Sequence, residues 1–312
     1  MASNGEVAVR CTGVAKRYGS VVAVDGVDLE VRRGECFGLL GPNGAGKTTT
    51  VEILEGLIEP DAGDVEVLGR RWDENERELR ERIGVSLQET RLAEKLTVAE
   101  TLRLFRSFYR SGRDVDELLE TVQLVGKRDA RVRELSGGQR QRLAVACGLA
   151  GEPELLFLDE PTTGLDPQSR RSLWEVIERF LAGGGTVLLT THYMEEAAHL
   201  SHRIAIMDRG QVIARGTPAG LVASLGAEHV VEFSLRDGSA LDPASLAHLP
   251  GVTGAHAREE ALVLTVREVH GAIPALLSEL ERRGVALSDL RTRHATLEDV
   301  FLELTGRSLR DA

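Results

Sequence analysis

Gly41-Pro42-Asn43-Gly44-Ala45-Gly46-Lys47-Thr48 decides how this chain is read, because it has the spacing G-x-x-x-x-G-K-[ST]. In that spacing the glycines let backbone N–H groups turn inward around a phosphate. The lysine reaches the terminal phosphates, and the hydroxyl reaches a divalent cation. The flanks agree. Phe37-Gly38-Leu39-Leu40 is an apolar run of strand length, and residues 47–57 carry a helical pattern closed by Pro60, Asp61 and Gly63. A chance glycine-rich turn would have no reason to lie between a buried strand and a helix. Gly41 to Thr48, together with Thr49, are the candidate phosphate-contacting residues.

A second segment, Leu155-Leu156-Phe157-Leu158-Asp159-Glu160, is four apolar residues followed by two carboxylates. Four apolar residues in a row suit a parallel strand buried on both faces, and ligands sit at the carboxyl ends of such strands. There Asp159 suits the shell of a magnesium ion. Glu160, one residue on, is the candidate general base for an attacking water. An ordinary acidic strand end looks the same in isolation; the phosphate loop makes the site reading the stronger one.

Working outward, strands are predicted at 6–10, 27–31, 64–68 and 186–190, with turns at Tyr18-Gly19 and Asp25-Gly26. Helices are predicted at 114–125, 139–150 and 168–182. Thr97-Val98-Ala99-Glu100 has capping-box spacing at the start of an amphipathic stretch. The alternation of strand and helix indicates an α/β fold with a helical insert over about 89–150. The character changes after residue 222. Strands at 229–235 and 261–266 and helices at 271–283 and 296–305 predict a second, small α+β domain over 223–312.

Composition narrows the classes. The chain has 312 residues, 42% of them hydrophobic and 28% charged, as in an ordinary globular protein. The net charge of −11 disfavours a nucleic-acid binder and a polybasic membrane anchor. Cys11, Cys36 and Cys147 follow no paired spacing and read as reduced thiols. The first residues form no apolar run, and no apolar stretch is long enough to span a bilayer, so a membrane role needs a separate membrane protein.

Leu135-Ser136-Gly137-Gly138-Gln139, upstream of the acidic strand, is the segment that names a family. With it the chain resembles ATP-binding cassette (ABC) ATPases over residues 6–220. The resemblance implies a P-loop NTPase core whose mixed sheet has an antiparallel β part and an inserted helical subdomain, with ATP and Mg²⁺ as ligands. It implies roles for further residues. Tyr18 stacks on adenine; Leu135 to Gln139 complete a nucleotide site in a second cassette; Asp166, in Gly164-Leu165-Asp166, bridges two subunits. Gln88 touches the metal beside Thr48 and Asp159, and His192 lies near the γ-phosphate and joins Glu160 and Gln88 in the catalytic set. The run Ile83 to Gln88 lacks the proline that often precedes this glutamine in the family.

The tail from Ala295 to Gly306 resembles that of daunorubicin-resistance-type exporter ATPases. This implies an energy subunit on the cytoplasmic face of the cell membrane, held there by a separate multi-span permease and paired with a second cassette, most simply an identical chain. The implied work is export of a drug-like or hydrophobic compound. Export of a lipid, polysaccharide or peptide, and a soluble ABC ATPase without a transport role, are the alternatives. Leu297, Val300, Phe301 and Leu304 share one helical face, which either closes the small domain's core or meets a partner.

Overall fold

The computed structural model describes residues 6–87, 90–236, 241–258 and 261–306. The chain opens with β1 (Val7–Tyr18) and β2 (Val21–Arg32), an antiparallel hairpin of two long strands. The turn expected at Tyr18-Gly19 is its tip, where Tyr18 pairs with Val21. The turn expected at Asp25-Gly26 is absent. Those residues stay inside β2 and form a bulge, where the register slips between the Val14–Val27 and Lys16–Val24 pairs. The Asp25 N–H donates to the Gly210 carbonyl at 2.9 Å, so a bond to a distant segment holds the chain extended.

Next come β3 (Cys36–Leu40), α1 (Lys47–Leu54), β4 (Ala62–Val67), α2 (Trp72–Arg82) and β5 (Ile83–Ser86). β4 joins β1 and β2 in a three-stranded antiparallel sheet. The helical insert supplies α3 (Val98–Arg106), α4 (Val115–Thr121) and α5 (Gly137–Leu149). The predicted capping box is present: the Thr97 hydroxyl accepts from the Glu100 N–H, and the Glu100 carboxylate accepts from the Thr97 N–H. The first unit closes with β6 (Leu155–Asp159), α6 (Pro167–Ala182), β7 (Thr186–Thr191), α7 (Met194–Leu200), β8 (Arg203–Asp208) and β9 (Gln211–Gly216).

The central sheet has six strands in the order β5-β6-β7-β3-β8-β9, parallel from β5 through β8. Because strand side chains alternate, each strand feeds two cores. Leu156 and Leu158 pack with α5 and α6, while Leu155 and Phe157 pack with α1 and the antiparallel sheet. Both faces are covered, which explains the unbroken apolar runs in the sequence.

The chain divides into two compact units, Met1–Arg215 and Gly216–Ala312, where the sequence set the division at 222/223. The earlier boundary has a visible cause: α8 (Pro218–Ala223), capped by Thr217, packs against the last helix of the second unit. That unit continues with β10 (His229–Leu235), β11 (Val252–Arg258), β12 (Ala261–Val266), α9 (Val269–Arg282), β13 (Leu287–His294) and α10 (Leu297–Thr305). Its antiparallel sheet runs β11-β12-β10-β13. In α10, Leu297, Val300 and Phe301 are buried while Leu304 is 47% exposed. Three of the four apolar residues are thus buried, on the helix that packs against α8. Arg293 of β13 fixes the helix start through two 2.7 Å bonds to the buried Asp299 carboxylate.

Candidate functional site

The site is assembled at the carboxyl ends of β3, β6 and β7, where three buried strands release polar residues side by side. β3 runs into the loop 41–46, and Gly46 caps α1 at φ +99°. A Cβ there would stand 2.2 Å from the Ala23 carbonyl oxygen, so only glycine lets β2 pass this close to the loop. No side chain caps α1, which leaves its first N–H groups facing outward at the positive end of the helix dipole.

Lys47 is 4% exposed. Its ammonium donates to the Gly41 and Pro42 carbonyls at 2.9 and 3.0 Å and lies 3.4 Å from Glu160 Oε1. Burial pushes the ammonium below its usual range, and the neighbouring Glu160 carboxylate opposes that shift. A buried cation held by neutral carbonyls beside an uncapped helix start fits a phosphate group.

Thr48 Oγ1 donates to the Asp159 carboxylate at 3.2 Å. These are two hard oxygen donors side by side. They suit a magnesium ion, which keeps waters and phosphate oxygens for the rest of its shell. Gln88, the third predicted metal contact, lies outside the described residues.

Asp159 is the last residue of β6, paired in register with Thr190 of β7. The Thr190 hydroxyl donates to Asp159 Oδ1 and accepts from the Glu160 N–H at 2.9 Å, so one side chain orients both acidic residues. Glu160 has φ +45°, a left-handed conformation rare outside glycine, which turns its side chain away from the strand direction. Its Oε2 lies 3.0 Å from His192 Nδ1 and accepts from Thr163 Oγ1 at 3.1 Å. The His192 bond, helped by Lys47, holds the carboxyl down at about 2 although burial pushes it up. Glu160 is therefore ionised, and it is buried at the mouth of the phosphate loop.

Lys47, Thr48, Asp159, Glu160 and His192 are thus brought together as the sequence expected. Thr190 and Thr163 were not singled out. The available signal was positional: both are hydroxyl residues within three residues of a predicted site residue.

The remaining predicted residues lie around this centre. Tyr18, 49% exposed, stands at the hairpin tip beside Val21, two residues before the Ala23 that abuts Gly46. An exposed aromatic ring at this hairpin tip can stack on a base. Ser136 caps α5 in a capping box with Gln139, at 3.2 and 3.0 Å. A Cβ on Gly138 would stand 2.3 Å from Ser169 Oγ, so α5 and α6 touch there. Among the described residues no hydrogen bond joins Ser136–Gln139 to the phosphate loop. Leu135 is buried. Asp166 caps α6, accepting from the Gln168 and Ser169 N–H groups at 3.0 Å and from Ser169 Oγ at 2.6 Å; these bonds, the Ser169 hydroxyl's foremost, lower its carboxyl.

Comparison with known proteins agrees with this geometry. Residues 24–163 match the ABC transporter family. The chain is 43% identical to Nod factor export ATP-binding protein I of Paraburkholderia xenovorans, over 98% of this chain and 99% of that protein. It is 42% identical to daunorubicin resistance ATP-binding protein DrrA3 of Streptomyces coeruleorubidus, over 98% of each. Among solved structures, a dimeric ATP-binding cassette in a post-hydrolysis state bound to ADP and phosphate is 28% identical, with a TM-score of 0.61 over 67% of this chain and 98% of that one. The sheet order, the phosphate loop facing two carboxylates, and near full-length identity converge on one conclusion: this chain belongs to the ABC transporter family, as an ATP-binding and ATP-hydrolysing subunit.

Proposed function

We propose that this subunit powers export of a drug-like or hydrophobic compound through a separate multi-span permease, at the cytoplasmic face of the membrane. The observation that carries the hydrolytic part is the ionised, buried Glu160, held between Lys47 and His192 at the mouth of the phosphate loop. In this account the α1 N–H groups and Lys47 bind the β- and γ-phosphates. Lys47 then exchanges its carbonyl partners for phosphate oxygens. Glu160 accepts the proton of the attacking water, and His192 holds the Glu160 carboxylate in place and faces the γ-phosphate. Thr48, Asp159 and Gln88 would hold Mg²⁺, whose charge offsets that developing on the phosphate oxygens. Tyr18 stacks on the adenine.

The nucleotide contacts of one chain are split between two places, the phosphate loop and the Ser136–Gln139 helix start, and among the described residues no hydrogen bond joins them. Two cassettes related head to tail would bring each helix start against the other's phosphate loop, with Asp166 near the seam. Loss of the γ-phosphate removes the contacts that hold the pair closed. Among the described residues no helix is long and apolar enough to cross a membrane, which supports a separate permease.

The export assignment is supported by relatives named for daunorubicin resistance and for Nod factor export. Export of a lipid, polysaccharide or peptide is the alternative. The test is recovery of tagged full-length Glu160→Gln protein, loaded with ATP, from detergent-solubilised native membranes. A stoichiometric multi-span protein is expected. Ribosomes or DNA-repair proteins in its place would overturn the transport role and leave the ATP chemistry standing.

A further inference from the structure

His192 is joined to Glu160 by a single hydrogen bond from Nδ1. One bond fixes the position of that nitrogen but leaves the imidazole free to rotate about it. A second contact constrains the ring. The Tyr193 ring packs against the imidazole with centroids 4.1 Å apart and planes tilted by 43°. The Arg170 guanidinium lies 4.5 Å from the centre of the Tyr193 ring, within cation–π range. Neighbours in sequence need not stack, because successive side chains leave an extended backbone in opposite directions. One hydrogen bond and one cation–π contact hold this pair. The Tyr193 N–H donates to Thr191 Oγ1 at 2.9 Å, and Arg170 reaches over from α6.

Arg170 is poorly matched to a purely structural role. Its Nε is buried without a hydrogen-bond partner, and its ion pair with Glu195 is long, at 3.8 Å. Its guanidinium also lies over the face of the Tyr193 ring. Arg170 sits in the first turn of α6, its N–H bonded to the Asp166 carbonyl at 3.0 Å. One residue earlier, Ser169 abuts Gly138 of α5. A continuous line of contacts therefore runs from the Ser136–Gln139 helix start through α6 to the imidazole.

We propose that Tyr193, clamped between Arg170 and His192, is a positioning residue that sets the orientation of the His192 imidazole and ties it to the α6 segment carrying Asp166. The inference rests on the reading of His192 given above. Tyr193 does not touch the nucleotide in this account; it acts through His192. Misorienting a group that holds a catalytic base costs turnover rather than substrate affinity.

The test is steady-state ATP turnover of the full-length chain. Tyr193→Ala should lower kcat about 10-fold with KM for ATP changed less than about 2-fold, while Tyr193→Phe keeps the ring and stays within about 2-fold of wild type. Tyr193→Leu, which keeps bulk without an aromatic face, should resemble Tyr193→Ala. In a His192→Ala background, Tyr193→Ala should add no further loss. The thermal midpoint of each variant separates lost turnover from lost folding. The proposal is overturned by wild-type kcat in folded Tyr193→Ala, by wild-type kcat in Tyr193→Leu, or by an undiminished extra loss in the His192→Ala background. Wild-type turnover in His192→Ala alone would instead overturn the role of His192 itself.

Discussion

The two ends of β6 each carry a carboxylate held down at about 2, and they do opposite things. At the entry end, Glu154 accepts from Arg82 at 2.5 and 3.1 Å and from Arg33 at 2.6 Å, and its side chain is 41% exposed. Both oxygens are occupied by guanidinium groups, of which Arg82 also reaches Glu78 and Arg33 also reaches Glu6, each at 3.3 Å, and the result is a clasp between α2, the β2–β3 turn and β6. At the exit end, Glu160 is buried, strained in φ, and held by a lysine, a histidine and a threonine hydroxyl. Those partners can be given up to a phosphate and a water. The same perturbation thus marks a brace at one end and a reactive centre at the other. Position at the carboxyl end of a parallel sheet, with partners that can be exchanged, distinguishes them.

Three substitutions sharpen or break that contrast. The largest effect is expected at Lys47→Ala, which removes the exchangeable cation: ATP affinity and kcat/KM should each fall by about 100-fold or more, read by nucleotide titration and steady-state turnover. Unchanged ATP binding would break the phosphate-loop reading. Thr190→Val removes the hydroxyl that orients Asp159 and Glu160 together; turnover should fall about 10-fold with ATP binding retained.

Glu154→Gln should leave turnover unchanged and cost about 1 kcal/mol of stability at pH 7, a figure discounted because the group is partly exposed. The sign follows from its pKa, which lies near 2 in the folded chain against an ordinary 4.5. The ionised clasp contributes stability above about pH 4.5 and loses it as pH falls toward about 2. The difference between wild type and variant should shrink over that window in pH-dependent denaturant unfolding. A difference that persists unchanged to about pH 2 would contradict the clasp.

The exit end was legible in the sequence because its chemistry is contiguous. The phosphate loop, the acidic strand end and Thr190-Thr191-His192 each follow a buried apolar run, and the strands behind them are apolar without interruption. Elements with a weak apolar face were not legible. α2 buries only Leu79 among residues of mixed charge, and β13 is an edge strand with no buried residue. β11 carries Gly254 and small residues, so no alternation shows. The bulge in β2 depends on a bond from Asp25 to Gly210, which no local pattern announces. The entry-end clasp was equally hidden, because Arg33, Arg82 and Glu154 meet only once the sheet forms.

The central claim is that Glu160, and not Glu154, is the base for hydrolysis. It is tested most directly by measuring ATP turnover and ATP binding of full-length Glu160→Gln beside Glu154→Gln. The account predicts that Glu160→Gln binds ATP, accumulates as an ATP-bound dimer, and turns over at least about 100-fold more slowly, while Glu154→Gln keeps the wild-type rate. Wild-type-like turnover in Glu160→Gln would contradict it.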